Sequence, residues 1–133
     1  MSFLLDTNIV SFHLKRPRGL THRFVQHSGR LYISSIALAE LCVWAFGKAK
    51  PAATLSAIEA MLRKEVNRLD FDDDCAKKFG QVRADLIRRG VSVGPLDLLI
   101  ASVALVYDLT LVTNNTADFQ NIPGLRLEDW LTP

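Results

Sequence analysis

Cysteine is scarce in this chain of 133 residues, and the two cysteines lie far apart. Cys42 and Cys75 each fall within an apolar helical pattern, and neither has a neighbouring thiol or a spacing typical of a metal site. We therefore predict two small hydrophobic side chains in a reducing compartment. The sequence excludes a disulfide framework and a cysteine-based metal site.

Long hydrophobic runs are absent as well. The longest apolar stretch, Leu98 to Tyr107, is far shorter than the ~20 residues that span a bilayer. The N-terminus has no basic segment, and Asp6 interrupts the only early apolar run, so no signal peptide is predicted. These features predict a cytoplasmic protein without a membrane segment.

The chain also lacks internal repeats, low-complexity linkers and any break in composition. Its hydrophobic share of 49% and charged share of 23% are those of an ordinary globular protein. A chain of this length is large enough for a real core and fits one domain of common size. We therefore predict a single domain over residues 1–133.

Acidic residues are missing between Thr7 and Ala39, although the net charge of the whole chain is only +2. The same stretch carries five Lys or Arg residues and all three histidines. An acid-free basic segment favours a ligand with a phosphate backbone, although a solvated basic face explains the pattern nearly as well. The candidates for phosphate contact are Lys15, Arg16, Arg18 and Arg23.

Short apolar runs alternate with helical patterns along the whole chain. Strands are predicted at residues 3–5, 31–33, 68–71, 109–112 and 125–127. Helices are predicted from Asn8, Ile36, Pro51 and Asp72, and from Pro95 to about Tyr107, with a short turn at residues 116–119. Such alternation is typical of a parallel sheet covered on both faces. We predict an α/β fold, a three-layer α/β/α sandwich around a parallel sheet of four to five strands.

Three consecutive acids, Asp72 to Asp74, open one of these helices, and Arg88 and Arg89 close it before Gly90. This order complements the helix dipole at both ends, and the glycine ends the helix. The acidic triplet therefore needs no functional explanation.

Four other acids lie where predicted strands end or helices begin. Asp6 ends the first strand, Glu40 lies one turn into the helix after the second, and Asp97 lies in the first turn of the Pro95 helix. Asp118 follows the strand that ends at Thr113. In a parallel sheet such positions converge on one edge, where crowded carboxylates repel unless a cation neutralises them. Oxygen ligands without Cys or His favour Mg²⁺ or Mn²⁺, and such a site suits phosphodiester cleavage.

Each acid also has a structural alternative. Asp6 could act only as a helix cap, Asp97 only as a complement to the helix dipole, and Glu40 only as an exposed helical residue. Asp118 could be an ordinary turn residue. Thr7 and Asn8, which follow Asp6, could cap the helix or bind the water of an ion.

The motifs resemble those of the PIN-domain nucleases. The resemblance rests on the segments LLDTN (4–8), SSIALAEL (34–41), DLLIA (97–101) and LVTNN (111–115), in that order. The closing runs NTADF (115–119) and PGLRLEDW (123–130) are similar to the bacterial VapC toxins in particular. Together the motifs cover nearly the whole chain.

The resemblance implies a ribonuclease toxin of a type II toxin–antitoxin pair that uses Mg²⁺ or Mn²⁺. In that family the acids that match Asp6, Glu40 and Asp97 form the metal site, and Thr113 matches a supporting hydroxyl. Many relatives have a fourth acid where this chain has Asn115, whereas some VapC toxins carry an acid that matches Asp118.

The resemblance also implies a substrate and partners. VapC relatives with this closing motif act on structured RNA, notably the anticodon stem-loop of initiator tRNA, so the basic candidates would contact RNA. The family further implies a homodimer and a VapB-type antitoxin that blocks the site. Trp44, Phe46 and Trp130 are candidates to face such partners, with burial in the core as the alternative.

Three other classes of protein share part of this pattern. A receiver domain would need an acidic pair beside its first strand and a late lysine, whereas this chain has a lone Asp6 and no lysine after Lys78. A small metal-dependent phosphohydrolase would share the acids but not the basic segment. A non-catalytic RNA- or protein-binding module would keep the fold without turnover.

Overall fold

A sheet of five parallel strands forms the centre of the computed structural model, which describes residues 1–16 and 18–132. The strands are β1 (Phe3–Leu5), β2 (Leu31–Ser34), β3 (Asn67–Leu69), β4 (Thr110–Val112) and β5 (Leu127–Glu128). The helices are α1 (Thr7–Lys15), α2 (Thr21–Gln26), α3 (Ser35–Phe46), α4 (Pro51–Lys64), α5 (Asp73–Arg88), α6 (Pro95–Val106) and α7 (Thr116–Phe119). The predicted α/β class and strand number are confirmed.

The strand order in the sheet is β3-β2-β1-β4-β5, and every neighbouring pair is parallel. The chain builds outward from β1 to β3, then crosses over to place β4 on the other side of β1. The boundary between β1 and β4 is therefore the point where the order reverses, and ligands of such sheets bind beyond the carboxyl ends of these strands. Leu5 pairs with Val112 there, so the residues that follow the two strands are neighbours.

The strands β1 and β4 are buried along their whole length. Leu4 and Leu5 of β1 and Leu111 and Val112 of β4 have no exposed surface, although successive side chains on a strand point to opposite faces. Both faces of the sheet are therefore covered. The three-layer α/β/α arrangement predicted from the sequence is confirmed.

Polar side chains and prolines define where the helices start. Ser34 caps α3 by accepting a hydrogen bond from the Ala37 amide, 3.0 Å from its Oγ. Asp72 caps α5 in the same way through the Cys75 amide at 2.9 Å. Pro51 and Pro95 stand in the first turns of α4 and α6, where a missing N–H costs nothing. These boundaries are as predicted to within one residue.

The edge strands differ from the prediction. The third strand ends at Leu69, not at residue 71, and the last strand is Leu127–Glu128, two residues beyond the predicted start. Pairing with β4 sets the second boundary, because Leu127 aligns with Leu111. The helix α2 was not predicted, since it is only six residues long and buries only Phe24.

Both cysteines are free thiols, and Cys75 is buried as predicted, whereas Cys42 is only half-buried because its side of α3 is partly open to solvent. Within the described part of the chain, no helix combines the length and apolar character that crossing a membrane requires.

Candidate active site

Asp6 lies immediately after β1 and caps α1, with extended backbone angles. Its Oδ1 accepts a hydrogen bond from the Thr7 amide at 2.8 Å, and its Oδ2 accepts one from Thr113 Oγ1 at 2.8 Å. The side chain is buried, with 5% of the residue exposed. Because both oxygens are held, the carboxylate has one fixed orientation at the carboxyl end of the sheet.

Thr113 occupies the equivalent position after β4 and is fully buried. Its hydroxyl donates to Asp6 and accepts a hydrogen bond from the Asn115 amide at 3.0 Å. It therefore connects Asp6 to the loop that leads into α7. Asn115 contributes its backbone to this link, and its side chain is exposed and makes no capping bond to α7.

Thr7 connects two carboxylates. Its amide donates to Asp6, and its Oγ1 donates to Glu40 Oε1 at 2.6 Å. Glu40 lies in the second turn of α3 and is half-buried. The first turn of α1 thus joins the end of β1 to α3 and brings the second predicted acid beside the first.

Asp97 lies in the first turn of α6, close to Gly94, where a Cβ would be 3.5 Å from Asp97 Oδ2. Partial burial raises its pKa from 3.8 to about 6, and the negative charges of Asp6, Asp118 and Glu40 add to the rise. The carboxyl therefore exchanges its proton close to neutral pH. The four predicted acids therefore lie within range of one another's charge.

The pKa of Asp6 is also raised, chiefly by burial. The hydrogen bonds from Thr113 and Thr7 oppose this rise, whereas the charges of Glu40 and Asp118 add to it. Asp118 itself is exposed, in α7. Among the described residues, no ion pair involves any of the four acids, which is the state expected of carboxylates that bind a cation.

The donor set fits a hard divalent cation, because it consists of carboxylates and hydroxyls without Cys or His. Among the described residues, however, no three His, Cys, Asp or Glu side chains form a group that could hold a metal ion as they stand. The acids influence one another's pKa values without forming such a group, because charges interact over many ångströms whereas metal ligation requires oxygens ~2 Å from the ion. The four carboxylates are neighbours that a cation would have to draw closer.

Asn8, the other predicted supporting residue, lies in the first turn of α1. Its Oδ1 is buried and makes no hydrogen bond in the structure. A buried amide oxygen without a partner is uncommon and costs free energy unless water or an ion satisfies it. This observation fits the predicted role of Asn8 in binding an ion or its water.

The cluster is open to solvent on the side of Asp118. A cavity of about 400 Å³ elsewhere in the protein is lined by Tyr32, Leu69 and Tyr107 and includes none of the four acids. The acids therefore lie outside that cavity, with Asp118 exposed and Asp6 buried.

The four basic candidates have different surroundings. Lys15 Nζ lies 5.3 Å from the ring centroid of Trp44, and Arg16 lies over Phe12 at 4.4 Å. Arg18 is exposed. The remaining candidate, Arg23, lies over Trp130 at 5.5 Å.

The three apolar candidates for partner contact differ in how exposed they are. Phe46 is 65% exposed, and Trp44 is half-buried under Lys15 and Lys48. Trp130 is only 7% exposed and packs edge-on against Phe3, so it follows the core alternative. No role was predicted for Lys48, since a single lysine after a helix is common on protein surfaces.

Residues 3–125 match the family described as PIN domain. The chain is 42% identical over 132 residues to the tRNA(fMet)-specific endonuclease VapC of Salmonella typhimurium, covering 98% of each chain. The fold is similar to that in the crystal structure of DNA-bound VapBC from Salmonella typhimurium, with a TM-score of 0.91, 40% identity and 98% coverage of each chain. VapBC2 from Rickettsia felis, bound to a fragment of promoter DNA, gives a TM-score of 0.90 at 34% identity, over 98% of this chain and 99% of that one.

Proposed function

The chain belongs to the PIN domain family, and on that premise we propose that it is the VapC-type toxin of a type II toxin–antitoxin pair. Its activity is that of an endoribonuclease, with the anticodon stem-loop of initiator tRNA as the target. The observation that carries the proposal is the cluster of four acids at the point where the strand order reverses, with the pKa of Asp97 raised to about 6. The 42% identity to a tRNA(fMet)-specific endonuclease supports the substrate.

In this proposal Asp6, Glu40 and Asp97 hold a divalent cation, Mg²⁺ or Mn²⁺. When bound, the ion would orient and activate a water and stabilise the leaving oxygen of the phosphodiester. Thr113 and Thr7 fix the orientations of Asp6 and Glu40 through their hydroxyl groups. The fourth position falls to Asp118, which carries a charge, while Asn115 and Asn8 contribute amide groups.

Asp97 also differs from Asp6 in how readily it is protonated. Because its pKa lies near 6, it is largely ionised at pH 7 and still exchanges a proton easily. Asp6 is held by two hydrogen bonds and is the fixed member of the pair. The site thus combines one carboxylate held by two hydrogen bonds with one whose pKa is raised toward neutral pH.

We further propose one domain over residues 1–133, a VapB-type antitoxin that blocks the site, and a homodimer. The domain assignment is supported by a sheet that uses strands from both ends of the chain. The partner assignment is supported by the VapBC complexes to which the fold is similar.

Cleavage of a defined RNA tests this proposal. The purified protein should cut the anticodon stem-loop of tRNA(fMet) in Mg²⁺ or Mn²⁺ and should stop when EDTA removes the ion. Expression of the protein alone should arrest growth, and Asp6→Ala at equal protein levels should relieve the arrest. Undiminished cleavage in EDTA would refute the metal site, and turnover of a small phosphomonoester without RNA cleavage would favour a phosphohydrolase.

A further inference from the structure

Two lysines share one tryptophan ring on the surface beside the acidic cluster. Lys15 Nζ lies 5.3 Å from the ring centroid of Trp44, and Lys48 Nζ lies 5.0 Å from it. The two ammonium groups are therefore within about 10 Å of each other, which is about one Debye length in 0.1 M salt. Two like charges this close repel, and the cation–π contacts with the Trp44 ring offset this repulsion.

The same ring stands next to one of the four acids. Glu40 and Trp44 are four residues apart on α3, so their side chains share a face with Cβ atoms about 5–6 Å apart. On α1, Thr7 contacts Glu40 and Lys15 contacts Trp44, eight residues or about two turns further along. The lysine pair therefore lies beyond Glu40 along α1 and α3.

Neither lysine is neutralised by an acid. Among the ion pairs of the described residues, none involves Lys15 or Lys48, and both side chains are exposed. Lys48 is anchored at the end of α3, where its amide donates to the Ala45 carbonyl at 3.2 Å. The surface thus holds two positive charges over the Trp44 ring, on the same helix as Glu40.

We propose that Lys15 and Lys48, positioned by Trp44, form a phosphate-binding subsite that holds the RNA backbone beside the carboxylates. The inference rests on the proposed function, because it assumes that the substrate is RNA. A phosphodiester chain suits such a place, since one phosphate meets the acids while a phosphate further along the backbone meets the ammonium groups. Trp44 is a positioning residue, and the two lysines make the contact.

An apolar peptide is the other class of ligand for this part of α3, because Val43 and Phe46 are 75% and 65% exposed. The observations at Trp44 favour RNA. An apolar peptide gains nothing from two un-neutralised ammonium groups, whereas a phosphate backbone releases counterions when it replaces them.

Binding measured against salt tests the subsite. A labelled anticodon stem-loop RNA is titrated with Asp97→Asn protein, which does not cleave it, at several salt concentrations. Adding Lys15→Gln or Lys48→Gln should reduce the slope of log affinity against log salt by about 0.7 each, or about 5-fold in affinity at 0.1 M salt. Lys77→Gln on α5 removes the same charge from an exposed position and should leave the affinity and the slope nearly unchanged.

The role of Trp44 is tested by a pair of variants. Trp44→Leu should weaken binding and reduce the slope, because the lysines lose the ring that positions them, and Trp44→Phe should restore most of both. In otherwise wild-type protein, Lys15→Gln and Lys48→Gln should raise KM for the RNA while kcat stays within about 2-fold. Equal slopes for the lysine variants and Lys77→Gln would overturn the subsite.

Two outcomes separate this inference from the proposed function. If the wild-type protein cleaves RNA but both lysine variants bind and cleave as it does, only the subsite is wrong. If the wild-type protein cleaves no RNA, the proposed function fails first. A lysine or tryptophan variant that binds RNA normally but loses affinity for the antitoxin would overturn the RNA assignment and identify a protein-binding face.

Discussion

The protein carries two clusters of carboxylates, one at the start of α5 and one beyond the ends of β1 and β4, and they differ in what balances their charge. In the first, Asp72 accepts hydrogen bonds from the Cys75 amide and the Tyr107 hydroxyl, and these contacts lower its pKa. In the second, burial and mutual repulsion raise the pKa of Asp6 and Asp97. The same residue type is thus stabilised as an anion in one place and destabilised in the other.

The difference shows how a helix cap and a reactive site can be told apart. The α5 cluster is local in sequence, and the helix N-terminus supplies partial positive charge to it. The second cluster draws its members from four separate segments, and there burial and mutual repulsion outweigh the helix N-termini at Asp6 and Asp97. An external cation would supply the missing positive charge. We therefore expect substitutions in the second cluster to reduce cleavage strongly and substitutions in the α5 cluster to reduce it little, and we expect the two clusters to respond to pH in opposite directions.

The largest expected effect is on catalysis. Asp97→Asn should reduce cleavage of the tRNA(fMet) stem-loop by at least ~100-fold, because a ligand of the ion is lost while the shape of the side chain is kept. Asp72→Asn is the matched control and should change the rate by less than about 2-fold. Single-turnover cleavage in saturating Mg²⁺ measures both, with circular dichroism to verify folding.

Equal loss of activity in the two variants would abolish the contrast between the clusters. It would mean that α5 contributes to the site or that both variants misfold.

An intermediate effect is expected at the fourth position. Asp118→Asn should lower metal affinity and activity by about 10-fold, the usual scale for perturbing the groups around a metal. Asn115→Asp should tighten metal binding, since it adds a carboxylate where the chain has a neutral amide. Calorimetric titration with Mn²⁺ and the cleavage rate measure both, and wild-type values for Asp118→Asn would leave a site of three acids.

The smallest expected effect is on stability against pH in metal-free protein. Asp97 has a raised pKa when folded, so it favours the folded state at low pH, and this contribution is lost as the pH rises from 3.8 through about 6. Asp72 has a lowered pKa, so its contribution is present above 3.8 and is lost as the pH falls through its folded pKa. The two clusters should therefore respond to pH in opposite directions.

Thermal unfolding of the metal-free protein and its variants between pH 3 and pH 7 measures this difference. Asp97→Asn should reduce the fall in Tm between pH 4 and pH 7, and Mg²⁺ should raise the Tm of the wild type at pH 7. Asp72→Asn should instead reduce the fall at acid pH. Parallel curves for all three proteins would show that neither carboxylate is perturbed.

The sequence by itself determined most of the elements, because their signals are local. Ser34 and Asp72 mark helix starts because their side chains accept hydrogen bonds from amides three residues later. Pro95 marks another, because its ring favours the first turn of a helix. The buried run before Asp6 specifies a central strand that ends in an acid. From that alternation alone, the parallel sheet and the edge on which the acids meet were predictable.

Tertiary structure decided everything that depends on distance between remote segments. Thr113 meets Asp6 across 107 residues, and Thr7 meets Glu40 across 33, because β1 and β4 are neighbours and α1 packs on α3. The bond from Thr113 helps to fix the orientation of Asp6, and burial together with the charges of Asp6, Asp118 and Glu40 raises the pKa of Asp97. Likewise, Lys15 of α1 reaches the ring of Trp44 on α3 only because the two helices pack together, whereas Lys48 is only four residues from Trp44 in the sequence. The physical reason is that capping acts over one helical turn, whereas burial and charge repulsion depend on every segment that folds against a site.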